Sequence, residues 1–253
     1  MRCDNSTPKK SLRISILRAS SCPPPAAGGT SLEDALASTV ITHKDRPAIA
    51  TARSARRTAV VLLHSRAGDQ HEVLPLLDEL DPEGEHLGLF PLGPLESVPE
   101  GRHWYVIERA ASPEPTTFLP TLEALSAWLD HTLAEHGIEP RRIVIGGFSQ
   151  GAAMAYALGL APGRPSPAGV LAFSGYLPRV EGFDLDLDGG SGLPVSIAHG
   201  SVDASVTVDF GREARDRLNT AGLAVRYHED PVGHTITPGG VAQARAVLAK
   251  ALA

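Results

Sequence analysis

Arg142-Ile-Val-Ile-Gly-Gly-Phe-Ser149-Gln-Gly-Ala-Ala153 decides how the chain is to be read. It joins a short apolar run, Arg142–Ile145, to the small-residue start of a helix over about 150–160. Gly147-Phe-Ser149-Gln-Gly151 forms the turn between them. A reactive serine displayed on a strand-to-helix turn needs a backbone so sharply bent that side chains on either side would collide, and the flanking glycines remove them. The five-residue pattern alone is weak. The preceding strand, the doubled Gly146-Gly147 and Ala152-Ala153 make it specific. The competing reading is a glycine-rich turn that only caps the helix.

Outward from this turn, short apolar runs alternate with stretches of helical period. Upstream lie Ala59–Leu63, apolar throughout as a strand buried on both faces should be, and a helix over 71–80 with Val73, Leu74, Leu77 and Leu80 on one side. A short strand follows at 87–90. Residues 91–117 are rich in proline and read as surface loop. The spacing of Leu122, Leu125, Leu129 and Leu133 predicts a helix over about 119–136, ended by Gly137. Downstream, strands are expected at 169–173, 194–198 and 223–227, and helices at 207–221 and 239–252. Strands alternating with helices imply an α/β fold, with a mostly parallel central sheet and helices on both faces.

A serine hydroxyl needs a neighbouring base, and in a fold of this kind the acid and the base follow the serine on loops after later strands. Asp203 follows the run 194–198 and His234 follows 223–227. Taken singly, Asp203 could be a helix cap and His234 a solvated loop residue. Serine, aspartate and histidine in this order, on loops at the strands' C-terminal ends, point to a catalytic triad. Negative charge developing on a substrate carbonyl would be met by the backbone N–H of Gln150, just after the serine, and by that of Arg66, in the loop after the strand 59–63.

Residues 1–57 hold ten Lys/Arg against Asp4, Glu33, Asp34 and Asp45, leaving −12 on residues 58–253 out of a total of −6. The division expected is an N-terminal leader or disordered tail, 1–57, ahead of one domain, 58–253. The acidic body gives no push toward nucleic acid. No apolar run approaches the roughly 18–20 residues of a membrane span. Both cysteines, Cys3 and Cys22, lie in the leader and say little about redox compartment. A cytoplasmic location is the expectation, with the leader as its weak point.

Leu62-Leu-His-Ser-Arg-Ala-Gly68, Gly147-Phe-Ser-Gln-Gly-Ala-Met154, Ser174-Gly-Tyr-Leu-Pro178, His199-Gly-Ser-Val-Asp203 and Gly233-His234 together resemble the phospholipase/carboxylesterase family of α/β-hydrolases, which includes acyl-protein thioesterases and small bacterial carboxylesterases. The resemblance implies an α/β-hydrolase fold with no cap domain, no metal and no cofactor, and a small-molecule ester or thioester as substrate. It leaves a homodimer open. It assigns Ser149, Asp203 and His234 as the triad and the Arg66 and Gln150 amides as oxyanion donors. Trp104 and Tyr105, in the loop 91–117, and Leu177 are candidate substrate contacts; the two aromatics could equally pack that loop onto the body. A non-catalytic binding module and an amidase or peptidase using the same triad are the rival readings. The chain departs from the family at Ser65, where glycine is usual. Either the loop accommodates the serine, or the Arg66 amide shifts. It departs again at Asp203-Ala-Ser-Val-Thr207, where Asp-Pro-Val-Val-Pro is common.

Overall fold

The computed structural model describes residues 57–96, 101–109 and 111–253. The expectation of a separate leader falls, but for Arg57, outside the described residues. Six strands form the central sheet: β1 (Ala59–Leu63), β2 (Leu87–Leu89), β3 (Ile143–Phe148), β4 (Gly169–Phe173), β5 (Pro194–Gly200) and β6 (Ala224–Asp230). Every pairing among them is parallel, in the order β6-β5-β4-β3-β1-β2. Five helices connect or follow them: α1 (Gln70–Leu80), α2 (Pro115–His136), α3 (Gln150–Gly159), α4 (Val208–Thr220) and α5 (Pro238–Ala251).

Side chains alternate across a strand, so a run that is apolar at every position serves two cores. Ala59, Val61 and Leu63 of β1 join the cluster built with α2, α3 and α4; Val60 and Leu62 join the one built with α1 and α5. The same split divides Ile143 and Ile145 from Val144 and Phe148 in β3. The α/β-hydrolase fold with helices on both faces is therefore a direct product of these continuous apolar runs.

Two expectations need correction. The segment 91–117 is not all loop: Leu95–Glu96 pairs antiparallel with Arg102–His103, and Ile107–Arg109 with Ser112–Pro113. Helix α2 begins at Pro115, four residues before the apolar stripe suggested. Proline is at home at a first helical position, whose N–H has no partner within the helix. Pro120 then sits inside α2 at the expense of one early backbone bond. At the other end, Gly137 adopts φ 62° and its N–H returns to Ala134 and Leu133, the left-handed stop that the sequence suggests.

Between β4 and β5, residues 174–193 hold no helix and no strand apart from a bridge between Val180 and Phe183. No cap domain lies there. The chain steps from β1 outward to β2 and then returns to β3 on β1's other side. Open parallel sheets form their clefts at such a reversal, beyond the strands' C-terminal ends. Here those ends are Leu63 and Phe148, so the crevice falls between the loop starting at His64 and the turn at Ser149.

Candidate active site

Ser149 links β3 to α3 with φ 56° and ψ −116°, backbone angles that a side-chain-bearing residue rarely adopts. The neighbouring glycines make this turn possible. A Cβ on Gly147 would come within 2.4 Å of the Gly151 backbone, and one on Gly151 within 2.1 Å of the Leu63 carbonyl oxygen. The turn is fixed from outside by the Ser149 N–H, which donates to Phe173 O at 2.9 Å. Gly151→Ala should therefore push α3 away from β1. We expect a loss of about 2–3 kcal/mol in urea denaturation, together with reduced activity as the Gln150 amide moves.

The structure brings Ser149, Asp203 and His234 together. His234 Nε2 lies 2.9 Å from Ser149 Oγ, and His234 Nδ1 lies 2.6 Å from Asp203 Oδ2. Asp203 Oδ1 accepts from the Ser205 and Val206 amides at 2.8 and 2.9 Å. Burial pushes the Asp203 carboxyl up, but the bonds from His234 and these amides outweigh it and hold it below the usual aspartate value. An ionised Asp203 keeps the proton of a neutral His234 on Nδ1 and leaves the Nε2 lone pair facing the serine hydroxyl. Phe148 packs on the imidazole, with ring centroids 4.9 Å apart. The loops carrying the acid and the base are tied to each other by Ser201 N–H to Asp230 O and Val202 N–H to Val232 O. Such an arrangement can draw a proton from Ser149 as it attacks an acyl carbon.

The loop after β1 is gripped from several sides. His64 is wholly buried and stacks on Trp104, with centroids 4.8 Å apart. Its Nε2 accepts from the Gly93 N–H at 2.9 Å, so its proton sits on Nδ1 and is donated to Ser65 O at 2.7 Å. Burial lowers its pKa to about 4, which keeps this neutral tautomer near neutral pH. Gly68 N–H also donates to Ser65 O. A trans peptide points its C=O and N–H in opposite directions. Holding the Ser65 carbonyl thus aims the Arg66 N–H the other way, and no described residue accepts from it. Ser65 is not among the non-glycine residues of positive φ, which are Ala67, Ala111, Ser149 and Ser174. Its backbone therefore has no need of the glycine that is usual there.

Gln150, buried at 2% exposure, adds a contact that the sequence did not disclose. Its Oε1 accepts from Trp104 N–H at 2.8 Å and its Nε2 donates to Tyr105 O at 2.7 Å, which anchors the residue whose own amide follows the serine. Trp104 and Tyr105, expected either to touch substrate or to pack their loop onto the body, and Leu177, a candidate substrate contact, all lie inside. Trp104 and Tyr105 are 0% exposed and Leu177 is 4% exposed. The polar tips of the two aromatics find partners inside: Trp104 Nε1 donates to His64 O at 2.9 Å, and the Tyr105 and Tyr176 hydroxyls are 2.8 Å apart. They brace the loop from behind. His199 was missed as well: its Nε2 donates to Val206 O, whose own amide supports Asp203, and burial lowers its pKa.

Among the described residues, no group of three or more His, Cys, Asp or Glu is arranged to hold a metal ion, and no helix is long and apolar enough to cross a membrane.

Against known proteins, residues 44–252 match the family described as phospholipase/carboxylesterase. The chain is 36% identical over 111 residues to lysophospholipase-like protein 1 of Mus musculus, covering 43% of this chain and 46% of that protein. It is 30% identical over 148 residues to acyl-protein thioesterase 1 of Debaryomyces hansenii, covering 56% of this chain and 63% of that one. The matches thus span about half to two thirds of these relatives' lengths. Among solved structures, esterase PE8 superposes with a TM-score of 0.71 at 26% identity, covering 85% of this chain and 100% of the other. A Bacillus cereus carboxylesterase does so with a TM-score of 0.71 at 22% identity, over 88% and 100%, a likeness of fold alone.

Proposed function

The chain belongs to the phospholipase/carboxylesterase family, and on that premise we propose that it is a serine hydrolase cleaving carboxylic esters or thioesters through an acyl-enzyme on Ser149. The observation that carries this reading is the continuous relay from Ser149 Oγ through His234 to Asp203, at 2.9 and 2.6 Å. Family membership narrows the chemistry to esters and thioesters.

In the first half-reaction, His234 Nε2 takes the Ser149 proton as Oγ bonds to the substrate's carbonyl carbon. The carbonyl oxygen becomes an oxyanion, met by the Arg66 and Gln150 N–H groups. Collapse of this intermediate breaks the bond to the alcohol or thiol, which leaves with the proton from His234. Water then repeats the sequence on the acyl-enzyme, giving up a proton to His234 and releasing the acid while Ser149 regains its hydrogen. Backbone donors fixed in advance cost no reorganisation as charge develops, and each contributes roughly 3–4 kcal/mol.

Among the described residues no cap domain interrupts the strands around the crevice, and Ser149 is half-buried. Val202, beside Asp203, is 66% exposed and offers an apolar surface to an acyl or alcohol group. A panel of p-nitrophenyl esters of graded chain length, an acyl thioester and an anilide tests the proposal. Esters or thioesters should be turned over by the native chain and not by Ser149→Ala. Turnover of the anilide alone would contradict the reading.

A further inference from the structure

The geometry points to Glu72 as a positioning residue for the oxyanion loop, acting through Ser65. Glu72 lies in the first turn of α1, behind Asp69, whose side chain caps the helix by accepting from His71 N–H. A glutamate at this third helical position commonly turns back to the cap residue's own amide. Glu72 reaches four residues further: Oε2 accepts from Ser65 N–H at 2.6 Å and Oε1 from Ser65 Oγ at 2.7 Å. One carboxylate thus holds both donors of one loop residue. Gly68 leaves room for it, since a Cβ there would stand 2.5 Å from Glu72 Oε2.

With His64 Nδ1 and Gly68 N–H on the Ser65 carbonyl, every polar group of Ser65 is engaged. The next peptide N–H is that of Arg66. Ser65, the departure from the family's glycine, therefore contributes an extra tether through its hydroxyl. Burial pushes the Glu72 carboxyl up from the usual glutamate value, while the Ser65 bonds and the nearby His234 pull it down and Asp69 raises it. The inference rests on the serine-hydrolase reading and names a residue outside the triad that sets how well that chemistry runs.

The test uses the full chain with a p-nitrophenyl ester, normalised to the fraction of enzyme that a fluorophosphonate titrates at Ser149. Glu72→Leu, which cannot accept a hydrogen bond, should lower kcat about tenfold or more and leave KM within twofold, because a misaimed oxyanion donor matters chiefly in the transition state. Glu72→Gln should retain most of kcat. Its carbonyl can accept from Ser65 N–H while its amide donates to the hydroxyl oxygen. Ser65→Ala should cost a few-fold alone and nothing further in the Glu72→Leu background, where the bond to the hydroxyl is already gone.

A Glu72→Leu enzyme with native kcat overturns the inference. So does a Glu72→Gln enzyme as slow as Glu72→Leu, which would make charge the operative property, and so do Ser65 and Glu72 effects that simply multiply. If Glu72→Leu does not fold, Ser65→Ala and Glu72→Gln decide: a few-fold loss in the first and near-native kcat in the second support the inference, and any other result overturns it. Failure of the native chain to be titrated at Ser149 overturns the hydrolase reading and the inference together. Titration at Ser149 with no response to these variants overturns the inference alone.

Discussion

Replacing His234 with alanine is expected to lower kcat for p-nitrophenyl acetate by about 10⁵–10⁶-fold, leaving a residue of catalysis from the oxyanion donors and binding. His234 Nε2, the proposed base, lies 2.9 Å from the Ser149 hydroxyl. Activity of His234→Ala within tenfold of native would remove the histidine from the mechanism.

Asp203→Asn is expected to cost about 10⁴-fold in kcat with the fold intact. The direction follows from the carboxylate's partners. Oδ1 accepts from two backbone amides, Ser205 and Val206, so the oxygen of an asparagine must stay on that side. Its NH₂ then faces His234 Nδ1, where Oδ2 now accepts. The imidazole can meet that donor only with a bare Nδ1, which moves its proton to Nε2, and Nε2 can then no longer accept from Ser149. The same carboxylate couples to stability. A carboxyl held below its unfolded value of about 3.9 stabilises the native state above that pH, and this contribution disappears as pH falls through the lowered folded value. Denaturation midpoints of the native and Asp203→Asn proteins should therefore converge as the pH falls through that lowered value. A variant with near-native kcat would mean that the aspartate does not set the tautomer.

The scaffold was legible because its signals are local. Ala59–Leu63, Gly169–Phe173 and the glycine-flanked turn at Ser149 announce buried strands and a sharp bend within a few residues. Strand ends were less legible. β5 and β6 run on through His199, Gly200, Glu229 and Asp230, glycine and polar residues that a hydrophobicity pattern assigns to loops. Parallel pairing, a long-range property, keeps them in the sheet. The order and placement of Ser149, Asp203 and His234 could be read from strand positions, but their distances could not. Gln150, His64, Glu72 and His199 hold the site through partners that only the fold brings near. No periodicity marks Glu72 as Ser65's partner, and Trp104 and Tyr105 look like surface aromatics until the loop around them is seen folded inward.

The central claim is that Ser149 is activated by its place in the relay. Brief exposure of the full chain to a fluorophosphonate, followed by peptide mass mapping, tests it most directly. The account predicts one adduct, on Ser149 of the native protein, with fluoride displaced, none in Ser149→Ala, and strongly slowed labelling in His234→Ala. An adduct on any other residue, or labelling of Ser149 at the native rate without His234, would contradict it.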